Sequence, residues 1–95
     1  MKTVAVLVNN EEKQYEGLRS SLGMLLYNTF VQMFVVDKEI ANMDEAYSDN
    51  MGFLDEMEGE RYSNNQTNVE KYGFKYASIE EMGEMLRKAD LVIPF

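Results

Sequence analysis

The sequence of 95 residues contains no cysteine and no histidine. Without cysteine there is no thiolate nucleophile and no disulfide, and without either residue there are no thiolate or imidazole ligands for zinc. Imidazole general bases are excluded as well. These absences remove most of the reactive side chains that a small enzyme uses. We therefore assign no catalytic residue and no metal ligand, and an enzymatic function is disfavoured.

Proline and glycine are also scarce, with one proline, Pro94, and six glycines. No linker is visible, so residues 1–95 are expected to form a single domain. The segment that follows the first apolar run has no glycine, and neither G-x-G-x-x-G nor G-x-x-x-x-G-K occurs anywhere. Binding of a nucleotide or flavin through a glycine-rich cradle is therefore disfavoured, and no cofactor is expected.

Basic residues are few: nine lysines and arginines face 17 acidic residues, for a net charge of −8. A surface of this sign repels nucleic acid and anionic membranes. The apolar run at residues 1–8 stops at Asn9 and Asn10, so it is too short for a signal peptide or a membrane span. We therefore expect a cytoplasmic protein that binds neither nucleic acid nor membrane.

Apolar residues recur with alternating strand and helix periods along the chain. The pattern predicts strands at residues 3–8, 30–36, 60–63, 74–77 and 91–93. It predicts helices at residues 16–28 and 43–58, a short helix from about 67 to 73, and a last helix that begins after Ser78. Because the first strand is apolar on both faces, a parallel sheet is favoured. The predicted fold is a three-layer α/β/α domain with a mostly parallel five-stranded sheet.

Helix ends are predicted from capping residues. Ser78 with Glu81 has the spacing of a capping box, and so does Thr67 with Glu70. Asn42 is predicted to cap the second long helix, and Gly59 to end it. The carboxylates between residues 44 and 60 do not match a calcium loop and are interpreted as a solvated helical face.

Seven segments of the chain carry a family resemblance: Lys2–Val8, Glu16-Gly17-Leu18-Arg19, Phe34-Val35-Val36-Asp37, Arg61 to Asn65, Glu70 to Phe74, Ser78 to Met82 and Ala89 to Phe95. Together these segments resemble the DsrE/DsrF-like family of sulfur-relay proteins. The resemblance covers nearly the whole chain. It implies a flavodoxin-like or Rossmann-like fold and assembly as a dimer, trimer or hexamer.

Sulfur-carrying members of that family hold a persulfide on a cysteine in the loop after the third strand. The corresponding position here is Asn64, or its neighbour Ser63 or Asn65, and none of these side chains can carry a sulfane sulfur. The family also contains subunits without the cysteine, which act as partners of those that have it. The resemblance therefore implies a non-catalytic structural or regulatory subunit, in a homo-oligomer or in a hetero-oligomer with a cysteine-bearing homologue.

A second hypothesis uses the carboxyl ends of the strands, where open α/β sheets bind their ligands. Asn10, Asp37, Ser63, Asn64 and Asn65 would form a polar rim there, which suits a small polar ligand or a cysteine-independent enzyme. The same residue types are also ordinary turn formers. Two locations are equally favoured for four aromatic residues, the core and a subunit interface: Tyr72, Phe74, Tyr76 and Phe95.

Overall fold

A computed structural model describes residues 1–95 and confirms the alternation of strands and helices. The strands are β1 (Lys2–Val8), β2 (Thr29–Val35), β3 (Glu60–Ser63), β4 (Lys75–Tyr76) and β5 (Leu91–Pro94). The helices are α1 (Gln14–Leu25), α2 (Glu45–Glu56), α3 (Gln66–Tyr72) and α4 (Ile79–Lys88), with a short 3₁₀ turn at Glu11–Lys13. None of these helices is long and apolar enough to cross a membrane.

The five strands form one parallel sheet in the order β4-β3-β2-β1-β5. From β1 to β4 each connection moves one place in the same direction, so right-handed crossovers place α1, α2 and α3 on one face, here called the first face. The connection from β4 returns past β1, which places α4 on the second face. This is the expected three-layer fold. This strand order differs from the 2-1-3-4-5 order of flavodoxin. It shares with the Rossmann order the neighbouring strands 3, 2 and 1.

The first face carries the main core. Val6 of β1 and Met33 of β2 point to this face and pack against Leu18 of α1 and Leu54 of α2, and all four side chains are fully buried. Helix α1 lies so close to β1 that a Cβ at Gly17 would stand 2.4 Å from Val8 Cγ2. The close packing of α1 on β1 therefore requires glycine at position 17.

The second face carries a smaller core under α4 alone. Its four buried residues are Ala5, Phe34, Ala77 and Met82. Helix α4 begins with the predicted capping box: Ser78 Oγ accepts from Glu81 N at 3.1 Å, and Glu81 Oε1 accepts from Ser78 N at 2.9 Å.

Three of the predicted helix ends lie elsewhere in the structure. Helix α2 is capped by Asp44, whose Oδ1 accepts from Tyr47 N at 2.8 Å, while Asn42 lies outside the helix. Helix α3 is capped by Asn65 instead of Thr67. At the end of α2 the left-handed residue is Glu58, and a Cβ at Gly59 would stand 2.4 Å from Leu54 Cδ1, so Gly59 is required by packing.

Three of the four aromatic residues that the sequence assigned to neither the core nor an interface belong to the core. Phe74 is buried, and Tyr72 and Phe95 pack against the main core on the first face. Only Tyr76 is largely exposed, at 61%. Core packing therefore explains three of the four, and Tyr76 alone remains available for an interface.

Candidate functional site

The carboxyl ends of β2 and β3 bring Asp37 and Asn64 together. Val35 is paired with Ser63 in the parallel ladder, so the residues that follow these strands meet at the same edge. Asp37 N donates to Asn64 Oδ1 at 2.7 Å, and Asn64 Nδ2 donates to Asp37 Oδ1 at 2.8 Å. Asp37 has a φ of 66°, a left-handed conformation that aspartate tolerates better than most residues. The two side chains therefore close a local ring.

Ser63 and Asn65 extend this cluster beneath the ring. Ser63 Oγ donates to Val35 O at 2.7 Å and accepts from Asn65 N at 3.0 Å. Asn65 Oδ1 accepts from Asn68 N at 3.1 Å as the cap of α3, and its Nδ2 donates to Asp37 O at 3.4 Å. Four of the five rim residues expected from the sequence are thus gathered, and their polar atoms bind one another.

Asn68 is a central residue of the cluster that the sequence did not reveal. Its side chain is fully buried: Oδ1 accepts from Ile40 N at 2.9 Å, and Nδ2 donates to Lys38 O at 2.9 Å and to Ser63 Oγ at 3.1 Å. It ties loop 37–41 to the start of α3. The sequence signal for this role is a polar residue on the buried side of a helix. That signal can be recognised only when Asn65, and not Thr67, is taken as the cap of α3.

Gln14 holds the other end of the same loop. It is 5% exposed, its Nε2 donates to Glu39 O at 3.0 Å, and its Oε1 accepts from Ala41 N at 2.9 Å. Glutamine is common on helix surfaces, so its type gave no indication of this contact. The loop after β2 is therefore fixed at both ends by buried amides.

Asn10, the fifth expected rim residue, lies apart from the cluster. Its Oδ1 accepts from Glu12 N at 2.9 Å and so caps the 3₁₀ turn. It lines an open polar hollow with Asn9, Glu11, Glu12 and Lys38. The two carboxylates make this hollow unsuitable for a phosphate or another anion, because like charges repel.

A cleft of about 290 Å³ lies between the starts of α1 and α2. Its acidic lining residues are Glu11, Glu12 and Asp44, and no lysine or arginine lines it. Tyr47 also lines it, but the Tyr47 hydroxyl is buried and has no hydrogen-bond partner. Burial raises the pKa of Tyr47 far above its ordinary value, against a smaller lowering by the Arg61 charge. The phenol therefore stays protonated at neutral pH and supplies no base.

A hydrogen-bonded network lies on the second face beside α4. Glu60 Oε1 accepts from Gln32 Nε2 at 3.1 Å and from the Tyr62 hydroxyl at 2.8 Å, and Glu60 Oε2 accepts from Lys75 Nζ at 3.2 Å. The Tyr62 ring stacks on Phe34 with centroids 5.4 Å apart. No group of three or more acidic side chains is arranged to hold a metal ion, here or elsewhere in the chain.

The charges of this network are fixed at neutral pH. Burial raises the pKa of Tyr62, and the bonded carboxylate of Glu60 adds to the effect, giving a pKa of about 12. Burial alone would raise the pKa of Glu60, but hydrogen bonds from Gln32, Tyr62 and Lys75, with the Lys75 charge, lower it below its usual range. Both pKa values move away from neutrality, which is the opposite of what acid–base catalysis needs.

Comparisons with protein-family models, with curated proteins and with solved structures give no match for this chain. Its own geometry therefore carries the functional interpretation. At the carboxyl edge that geometry is a set of three asparagine amides, one hydroxyl and one carboxylate that bond one another and the backbone of loop 37–41.

Proposed function

We propose that the chain is a non-catalytic structural or regulatory subunit that acts by associating with other protein chains. The internal hydrogen bonding of the rim is the observation that carries this proposal. Asp37, Ser63, Asn64 and Asn65 direct their hydrogen bonds to one another, to Asn68 and to nearby backbone. A catalytic or ligand-binding rim would instead keep polar groups free and aimed at the reacting molecule.

A relation to the DsrE/DsrF-like family remains part of the proposal, in the form of a subunit that carries no sulfur. The resemblance puts the carrier cysteine at Asn64 or at its neighbour Ser63 or Asn65, and the amide nitrogen of Asn64 lies 2.8 Å from Asp37 Oδ1. A thiolate at residue 64 would face this carboxylate. Because a like charge disfavours ionisation, the thiol there would be a poor persulfide carrier.

The family relation is tested with Asn64→Cys alone and combined with Asp37→Asn. We expect the single variant to accept little sulfane sulfur from a persulfide donor. The double variant should accept more, because it lacks the repelling charge. Equal inertness of both thiols, measured by mass spectrometry of the intact protein, would count against any relation to sulfur relay and would leave only the fold.

Small-ligand binding is the second candidate, and the hollow beside Asn10 favours it. The side chains of Asn9 and Lys38 line this hollow and form no hydrogen bond or ion pair within the chain. They remain available to a polar ligand that tolerates the adjacent carboxylates. A cationic or neutral metabolite suits this lining better than an anionic one.

Thermal unfolding separates the two candidates. Self-association stabilises the folded state by mass action, so the proposal in its homo-oligomeric form predicts that Tm rises with protein concentration. Ligand binding predicts a Tm that is independent of protein concentration and rises with one member of a panel of polar metabolites. A rise with a metabolite that disappears in Asn9→Ala combined with Lys38→Ala would replace the proposed function by ligand binding at the hollow.

A further inference from the structure

Helix α4 covers its face of the sheet incompletely. Parallel sheets are normally covered by helices on both faces. Here a single helix of 10 residues faces five strands. Such a helix is about 15 Å long and about 10 Å wide, whereas five strands span roughly 19 Å between the outer axes. Part of the second face is therefore left open.

Apolar side chains line the open part between α4 and β5. Val92 and Pro94 are paired with Ala5 and Leu7 of the α4 cluster, so they point to the second face, and both are exposed. On α4, Ile79 is 53% exposed. The right-handed crossover and the turn of about 100° per residue place Ile79 on the flank of α4 that faces β5. Gly83 and Leu86 share that flank, and the α4–β5 strip is defined as Ile79, Gly83, Leu86, Val92 and Pro94.

The charges along α4 suit a second copy of the same helix. Its first half carries Glu80 and Glu81, and its last turn carries Arg87 and Lys88. Within the helix Arg87 is ion-paired with Glu84, so pairing with another copy would add to this contact or replace it. In an antiparallel pair across a two-fold axis each half meets the opposite half of its partner. Glu80 lies three residues before Gly83 and Arg87 lies four residues after it. A crossing at Gly83 therefore brings each Glu80 to Arg87 of the other copy.

Gly83 also allows a close helix crossing. A Cβ built at this glycine meets nothing within 4 Å, so the chain's own packing does not require a glycine there. Glycine inside a helix costs about 1 kcal/mol relative to alanine. A helix that crosses at this point would come against the bare backbone.

We propose that the α4–β5 strip binds the same strip of a second copy, with the two α4 helices antiparallel and crossing at Gly83. This inference rests on the proposed function, since it names the associating chain and the surface it uses. A helix pair of about three turns falls in the class of small interfaces, below about 1,200 Å² of total buried area. Association is therefore expected at micromolar or higher concentrations.

Charge reversal tests the pairing between copies. Glu80→Arg alone places a second guanidinium against Arg87 of the other copy, and Arg87→Glu alone places a second carboxylate against Glu80. Each single variant should dimerise at least about tenfold more weakly than the wild type, because like charges meet twice per dimer. An equimolar mixture of the two variants should recover dimers, since the opposite charges can again be paired. Sedimentation velocity from about 5 to 500 μM measures all four samples.

Recovery on mixing distinguishes pairing from an effect within one helix. Acidic first turns and basic last turns also stabilise isolated helices through the dipole, and mixing cannot restore that effect. Lys71→Glu is the matched control, because Lys71 stands in the last turn of α3 on the first face and should leave dimerisation unchanged. A chain that self-associates without sensitivity to either reversal would overturn this surface while leaving the proposed function in place. A chain monomeric at every concentration would overturn the self-pairing.

A pair of glycine variants tests the crossing point without changing charge. Gly83→Ala should weaken dimerisation by about tenfold, because the new methyl groups meet at the crossing. Gly52→Ala is its control: Gly52 lies inside α2, and a Cβ there also meets nothing within 4 Å. Both variants should fold at least as well as the wild type. Equal dimerisation of both variants and the wild type would contradict a crossing at Gly83.

Discussion

The two faces of the sheet are stabilised to different extents. The first face buries a cluster of 12 hydrophobic residues under α1, α2 and α3, and the second buries four under α4. Since hydrophobic burial is the dominant favourable term in folding, most of the stability resides on the first face. The second face keeps exposed apolar side chains beside α4, and exposed apolar side chains also occur on the outer surface of α1 and α2, among them Tyr15 and Phe53.

Polar side chains follow the same division. On the first face, the buried amides of Gln14 and Asn68 hold loop 37–41 by hydrogen bonds. On the second face, the Glu60 network is partly open to solvent. Buried polar groups are costly to leave unpaired, whereas groups in contact with water exchange partners cheaply. The two faces should therefore respond differently to equivalent substitutions.

Core truncation should show the largest difference between the faces. Leu18→Ala removes a fully buried side chain from the centre of the first face and should cost about 3–5 kcal/mol. Met82→Ala removes a side chain of similar size under the single helix, which can shift toward the sheet, so we expect about 2–3 kcal/mol. Urea unfolding of both variants measures the two values. Equal losses would mean that the faces form one cooperative core of uniform packing.

Removal of the Asn68 amide is expected to rank second. Asn68→Leu has a similar volume but leaves Ile40 N and Lys38 O without their partner and removes one of the three hydrogen bonds of Ser63 Oγ, and the unpaired groups should cost about 2–3 kcal/mol. Asn64→Ala removes a partly exposed amide from the same edge and should cost less than about 1 kcal/mol. Similar values for the two variants, from the same urea titration, would show that water reaches the Asn68 site.

A substitution at the start of α4 should have a smaller effect on stability, and it tests where the helices begin. Ser78→Ala removes the observed capping box and should cost about 1 kcal/mol. Asn42→Ala removes a residue that the sequence predicted as a cap and that the structure places outside α2, so its effect should be close to zero. A measurable loss in Asn42→Ala would show that Asn42 helps to start α2 after all.

The contrast between Ser78 and Asn42 shows which features of the fold a sequence reveals. Capping boxes and apolar periods are local patterns, so the strands, the helices and the α/β/α class were predictable. Asn42 and Asp44 are both acceptable caps by residue type, and in the structure Asp44 caps α2 while Tyr47 in the first turn is buried. The contacts of Gln14 and Asn68 with loop 37–41 join residues at least 25 positions apart in the chain, and the strand order joins distant segments as well, which no local pattern encodes.

The same reason explains the candidate site. Asp37, Ser63, Asn64 and Asn65 were predicted to meet because parallel strands end at one edge, and they do meet. That their polar atoms satisfy one another depends on side-chain directions, which residue types do not specify. Asn10 follows β1 at the same edge, but its commitment to the 3₁₀ turn keeps it separate.

The Glu60 network should give the smallest effect, visible in the pH dependence of stability. The folded state lowers the pKa of Glu60, so its contribution is present above the unfolded pKa of about 4.3 and is lost as pH falls through the folded value. Glu60→Gln should therefore be less stable than the wild type at pH 7 by a small amount, because the partly exposed ion pair is screened. The difference in stability should shrink toward pH 3.

Glu56→Gln is the control, because Glu56 is an exposed carboxylate with no hydrogen bond in the chain, and this variant should show neither change. A difference between Glu60→Gln and the wild type that stays constant from pH 7 to pH 3 would mean that packing of the Tyr62 ring, and not the charge of Glu60, stabilises this side of the sheet.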